Sequence, residues 1–161
     1  LTSVGAMGIS GMDGRLIEAK MKNEKLGYVG AITNINIAPV NDLLEKGYIP
    51  IYAPADNLFS IIQREKFDGI NKGSYEQMLE CDLLVIDDLG TELANSFTKS
   101  ALYNLINTRL LTKKPTIINT NLTLNEIQEI YSPRIVSRLI GNFDANKFLG
   151  NDIRQQKLLG K

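Results

Sequence analysis

The chain has 161 residues, 43% of them hydrophobic, and its eighteen basic residues balance eighteen acidic ones. That suits one globular domain able to bury about two thirds of its unfolded surface, and zero net charge leaves no global field drawing it to nucleic acid or membrane. A single cysteine, Cys81, excludes an intrachain disulfide and suits a reducing, cytoplasmic setting; the lack of histidine removes His-based metal sites and Ser-His triads. No apolar run approaches a membrane span and no secretory leader is visible, while Leu1 in place of Met suggests a fragment.

The N-terminal stretch Val4-Gly5-Ala6-Met7-Gly8-Ile9-Ser10-Gly11-Met12-Asp13-Gly14 is glycine-rich but is followed by Arg15. A phosphate-cradling loop needs G-x-x-x-x-G-K-[ST], and that string occurs nowhere in the chain. Lysine acts there as a compact point charge, so Arg15 is a poor substitute. Further on, Asn41 or Asp42 can cap a helix that Gly47 ends in a left-handed conformation. Residues 48–53 then read as a buried strand, and residues 66–74 as a flexible loop.

Leu83-Leu84-Val85-Ile86 suits a strand covered on both faces, and it ends abruptly in Asp87 and Asp88. Adjacent carboxylates are costly to bury without a partner. In an open α/β sheet the usual partner is a ligand at the carboxyl edge, often a metal-bound phosphate. This is the pattern of a Walker B strand, in which the first acid holds magnesium through water and the second polarises the attacking water. Taken alone, the motif also reads as a strand followed by a solvated acidic turn. Cys81, just upstream, reads as core packing.

Residues 98–110 place Ala101, Leu102, Leu105, Ile106 and Leu110 on one helical face. Lys113-Lys114-Pro115 breaks the chain, and residues 116–121 read as a second buried strand. Parallel strands joined by a crossover helix point their carboxyl ends to the same edge, so Asn121 is expected beside Asp87 and Asp88. There it can orient a water against a terminal phosphate or cap a loop. Thr123-Leu124-Asn125-Glu126 is a capping box. Ser132-Pro133 opens another helix that Gly141 can stop. Within it Arg134 and Arg138 share a face, where they bind phosphate or are simply solvated. Arg154 follows a short strand-like segment, residues 147–149.

From about Tyr52 onward the chain resembles the AAA+ ATPase core of bacterial replicative-helicase loaders of the DnaC/DnaI type, and the IstB-type helper ATPases of transposons. The resemblance rests on LLVIDDLGTE, SFTKSALYNLINTRL, TIINTNLT, and IYSPRIVSRLIGNF followed by GNDIR. It implies magnesium at Asp87, water activation by Asp88, and a sensor role for Asn121. It further implies an arginine finger at Arg138 with Arg134 close by, and a second sensor at Arg154. ATP and Mg2+ are the implied cofactors. A replicative DNA helicase, single-stranded DNA and further copies of the chain are the implied partners, and no membrane is implied.

Residues 1–54 resemble an internal piece of acetylglutamate kinase through VGAMGISGMDGRLIEAKMK, LGYVGAITNIN, NDLLEKG and YIPIYAP. That family's own phosphate loop and catalytic motif have no counterpart here. The expected fold is α/β, a three-layer parallel sheet with helices on both faces, like a P-loop NTPase of the AAA+ class but without the P-loop. The expected division is a kinase-like segment 1–54 and a loader-like ATPase segment 55–161, joined near residues 51–56. The leading functional expectation is a truncated helicase-loader ATPase acting in DNA replication with impaired nucleotide binding. The alternatives are an acetylglutamate kinase fragment in arginine biosynthesis and an inactive chimeric chain.

Overall fold

The computed structural model describes residues 27–30, 46–70 and 72–146. Its frame is a five-stranded sheet of order β2-β3-β4-β1-β5, all neighbours parallel. The strands are β1 (Gly27–Gly30), β2 (Pro50–Pro54), β3 (Leu83–Leu89), β4 (Thr116–Thr120) and β5 (Asp144–Asn146). The three strands read from the sequence lie side by side as β2, β3 and β4, β2 beginning two residues later than expected. β3 extends three residues beyond its aliphatic run and carries both aspartates inside the strand.

The alternation of strand side chains sorts the sheet into two faces. Leu84, Ile86 and Ile118 join one apolar cluster with residues of the described helices, while Leu83, Val85 and Ile117 are buried on the opposite face. Burial on both faces is what a parallel sheet requires. The helices that form the cluster are α1 (Ala55–Asp68), α2 (Ser74–Glu80), α3 (Ser96–Leu111), α4 (Leu124–Ile130) and α5 (Pro133–Asn142). The helical layer expected on that opposite face is not among the described residues. No helix among those described is long and apolar enough to cross a membrane.

Local signals account for the helix boundaries. α1 buries Ala55, Leu58, Phe59 and Ile62 at helical spacing and ends at Gly69, whose φ of 65° is left-handed. The residues expected to form a loop at 66–74 therefore include the last turn of α1. Glu65 reaches from α1 to accept hydrogen bonds from the amides of Gly73 and Tyr75, both at 2.9 Å, and so caps α2. α3 starts two residues before the expected position because Asn95 and Thr98 form a capping box. The capping box of Thr123 and Glu126 forms as read from the sequence, and its bonds to Thr123 hold the Glu126 carboxyl below its ordinary range. Ser132 caps α5 with Pro133 in its first turn; the helix runs one residue past Gly141. Gly47 has the left-handed φ of 82° anticipated for it.

Candidate functional site

The parallel register brings the carboxyl ends of all five strands to one edge. Asp87 and Asp88 lie there on β3, and Asn121 follows the last residue of β4. Asp87 is 6% exposed. Its Oδ2 accepts a hydrogen bond from the Tyr52 hydroxyl on β2 at 2.5 Å, and its Oδ1 accepts one from Asn119 Nδ2 on β4 at 3.1 Å. Three adjacent strands thus contribute one polar row. It lies on the sheet face away from the described helices, because Tyr52, Val85 and Ile117 alternate with the residues of the apolar cluster.

The row has a defined electrostatic logic. An ionised carboxylate only accepts hydrogen bonds, so both neighbours must present donors. Burial, then the hydrogen bond and negative charge of Asp87, and then Asp88, push the Tyr52 phenol well above its ordinary range. Asn119 is fully buried, and with its amide nitrogen turned to Asp87 its Oδ1 is left without a partner. A buried unsatisfied acceptor costs about 1–3 kcal/mol. Asn119 pairs in register with Gly30 of β1.

Asp88 sits in a bulge of the β3–β4 ladder with a left-handed φ of 51°. That conformation is uncommon outside glycine, although Asp tolerates it better than most residues. Asn121 is exposed at the end of β4. Asn119, two residues earlier, is the asparagine that meets Asp87, and it was missed because strand register is invisible in a single sequence. Tyr52 was missed for the same reason, and Glu92 and Tyr131 because a turn-to-helix contact spanning 39 residues has no local signal. Arg134 and Arg138 are exposed on α5, with no ion-pair or side-chain hydrogen-bond partner among the described residues. Arg154 and the glycine-rich residues 5–14 lie outside the described residues.

The described residues do not complete a magnesium–nucleotide site. Both oxygens of Asp87 are engaged by neutral donors, and among the described residues no group of three or more His, Cys, Asp or Glu could hold a metal ion. The strand order sharpens this. β1 ends at the carboxyl edge between β4 and β5, where a phosphate loop would leave the sheet, yet residues 31–45 contain neither glycine nor lysine.

This sheet order, with paired carboxylates ending the strand next to β4, defines an α/β domain of the P-loop NTPase type, AAA+-like but lacking the P-loop string. The chain belongs to the family of IstB-like ATP binding proteins, whose model matches residues 26–145. The matched span includes residues on both sides of the expected boundary at 54/55, and strands from both sides of it share the sheet. Among solved structures, the DnaC helicase loader superposes with a TM-score of 0.68 at 20% identity, covering 84% of this chain and 87% of that one. Domain III of the replication initiation protein DnaA from Thermotoga maritima gives 0.71 at 16% identity, covering 98% and 66%. At such identities the likeness is one of fold.

The sequence is also similar to acetylglutamate kinase. It is 36% identical over 104 residues to that of Thermoanaerobacter sp. strain X514, covering 60% of this chain and 33% of the relative. Against the enzyme of Caldanaerobacter subterraneus subsp. tengcongensis it is 49% identical over 51 residues, covering 30% and 17%. The chain thus spans a third or less of the length of these curated relatives.

Proposed function

We propose that this protein is an AAA+ ATPase of the helicase-loader type acting in DNA replication, in which the Walker B edge is kept while nucleotide binding is impaired. In this reading Asp87 serves magnesium, Asp88 activates water, Asn121 senses the terminal phosphate, and Arg138, Arg134 and Arg154 contact phosphate, Arg138 across a subunit boundary. The partners are a replicative DNA helicase and single-stranded DNA. The observation that carries the impairment is the segment after β1, residues 31–45, which lacks the glycines and the lysine of a phosphate loop. Removing a charged hydrogen-bond partner at a phosphate costs roughly 2–5 kcal/mol, about 30- to several-thousand-fold in affinity. Loss of the loop amides adds to this.

Calorimetric titration of the chain and of its Asp88→Asn variant with Mg-ATP tests the reading. Binding weaker than about millimolar is expected in both. Micromolar binding by the unmodified chain overturns the impairment. A second reading, a fragment of acetylglutamate kinase, is favoured by the sequence match over 104 residues. ATP-dependent phosphorylation of N-acetylglutamate by the chain would establish it in place of the first.

A further inference from the structure

The turn that leaves β3 is pinned from three directions. Thr120 Oγ1 donates to Leu89 O at 2.6 Å and accepts from the Leu122 amide at 3.1 Å, tying the turn to the end of β4. Gly90 adopts a φ of 104°, and a Cβ there would sit 2.9 Å from Leu122 Cγ, so only glycine lets the two loops close on each other. Thr91 folds back, its amide and hydroxyl both donating to Asp88 O, at 3.2 and 2.8 Å. At the centre is Glu92. One carboxylate oxygen accepts from the Gly90 amide at 3.0 Å and the other from the Tyr131 hydroxyl.

Tyr131 occupies the junction between α4 and α5 and is 3% exposed. Burial, and then the hydrogen bond and charge of Glu92, push its phenol far up, with the Gly90 amide opposing. This half-buried carboxylate–phenol contact joins two residues that are 39 apart in sequence. The next residue, Ser132, caps α5, so a shift of Tyr131 moves the start of the helix that carries Arg134 and Arg138.

We propose that Glu92 and Tyr131 form a strut joining the Asp88 turn to α5, with Glu92 the positioning residue for Asp88. The inference rests on the ATPase reading for its functional meaning. The left-handed backbone at Asp88 is maintained by this strut, and rearrangement of the turn is passed to the exposed arginine face through Tyr131 instead of through the sheet.

Hydrogen exchange of backbone amides in the full chain tests the proposal without nucleotide, with residues 84–86 of β3 as the internal control of folding. Tyr131→Phe and Glu92→Ala should each accelerate exchange about tenfold in both residues 88–92 and Pro133–Asn142. Glu92→Gln, whose amide keeps an acceptor for Gly90, should stay close to the parent. The double variant Tyr131→Phe/Glu92→Ala should be no faster than the faster single one. Acceleration confined to one of the two segments, or a double effect equal to the product of the singles, overturns the strut. If Tyr131→Phe loses the β3 protection altogether, the Glu92→Ala and Glu92→Gln pair makes the same comparison. Micromolar Mg-ATP binding would overturn the impairment proposed above and leave the strut intact, so the two failures are distinguishable.

Discussion

Among the described residues, the two ends of the sheet each bury one charged side chain, and they treat it in opposite ways. At the amino end Arg109 of α3 is 0% exposed, and each nitrogen of its guanidinium has an acceptor. Nε donates to Thr116 Oγ1 at 2.9 Å, one terminal nitrogen donates to the carbonyls of Met78, Leu79 and Cys81, and the other donates to Pro115 O at 2.6 Å. These carbonyls come from the end of α2 and from the residues leading into β3 and β4, so one planar fork closes a helix terminus and two strand starts. At the carboxyl end Asp87 has one donor on each side, and its neighbour Asn119 retains an orphaned oxygen. A buried charge whose hydrogen bonds are complete serves structure. One flanked by an unsatisfied group stands at the edge where the fold gathers its loops, which is where the nucleotide site proposed above would lie.

The sharpest way to break that comparison is to remove Arg109. Arg109→Ala leaves a cavity and several carbonyls without donors, and should cost about 3–5 kcal/mol in urea denaturation. Arg109→Lys should recover little, since an ammonium cannot reproduce the fork. A loss under about 1 kcal/mol would mean that the amino end does not depend on this residue.

The phenols at the other end give a smaller, pH-dependent effect. Tyr52 and Tyr131 are both pushed above their ordinary value near 10, so the folded state holds their protons more tightly than the unfolded state does. The stability this contributes is complete below about pH 10 and is lost as pH rises through the folded values. Unfolding monitored between about pH 9 and 11 should show stability falling with pH, less steeply in Tyr52→Phe and less steeply again when Tyr131→Phe is added. A slope unchanged in both variants would remove the electrostatic account of the carboxyl edge.

The smallest effect is expected at Arg138, chemically identical to Arg109 but exposed on α5. Arg138→Ala should change stability by no more than about 0.5 kcal/mol. A larger loss would show that the exposed arginine face is structural, and would weaken its assignment to phosphate contact in a neighbouring subunit.

Much of this was legible before any tertiary contact was known. The aliphatic run of β3, the helical spacing of α3, the Thr123/Glu126 capping box and the Ser132-Pro133 helix start all depend on residues within a turn or two of one another. α1 was harder to read, because its N-terminus has no side-chain cap and its last turn is polar enough to pass for a loop. Arg109 stood within the residues read as the α3 helix and falls on the apolar stripe after Leu105 and Ile106, a signal that its charge obscured.

Local chemistry alone therefore determined that β2, β3 and β4 become strands, that α3, α4 and α5 become helices and about where they start, that two carboxylates follow a buried aliphatic run, and that no phosphate-loop string is present. Strand order and register were decided only by the fold. They insert β1 between β4 and β5 and set Asn119 and not Asn121 against Asp87, while packing of the α4–α5 junction on the turn after β3 brings Tyr131 to Glu92. The physical reason is range. Periodicity and capping are set by neighbours along the chain, whereas a parallel ladder is set by hydrogen bonds and packing between segments separated by dozens of residues. A shift of one residue there exchanges the buried face for the opposite one.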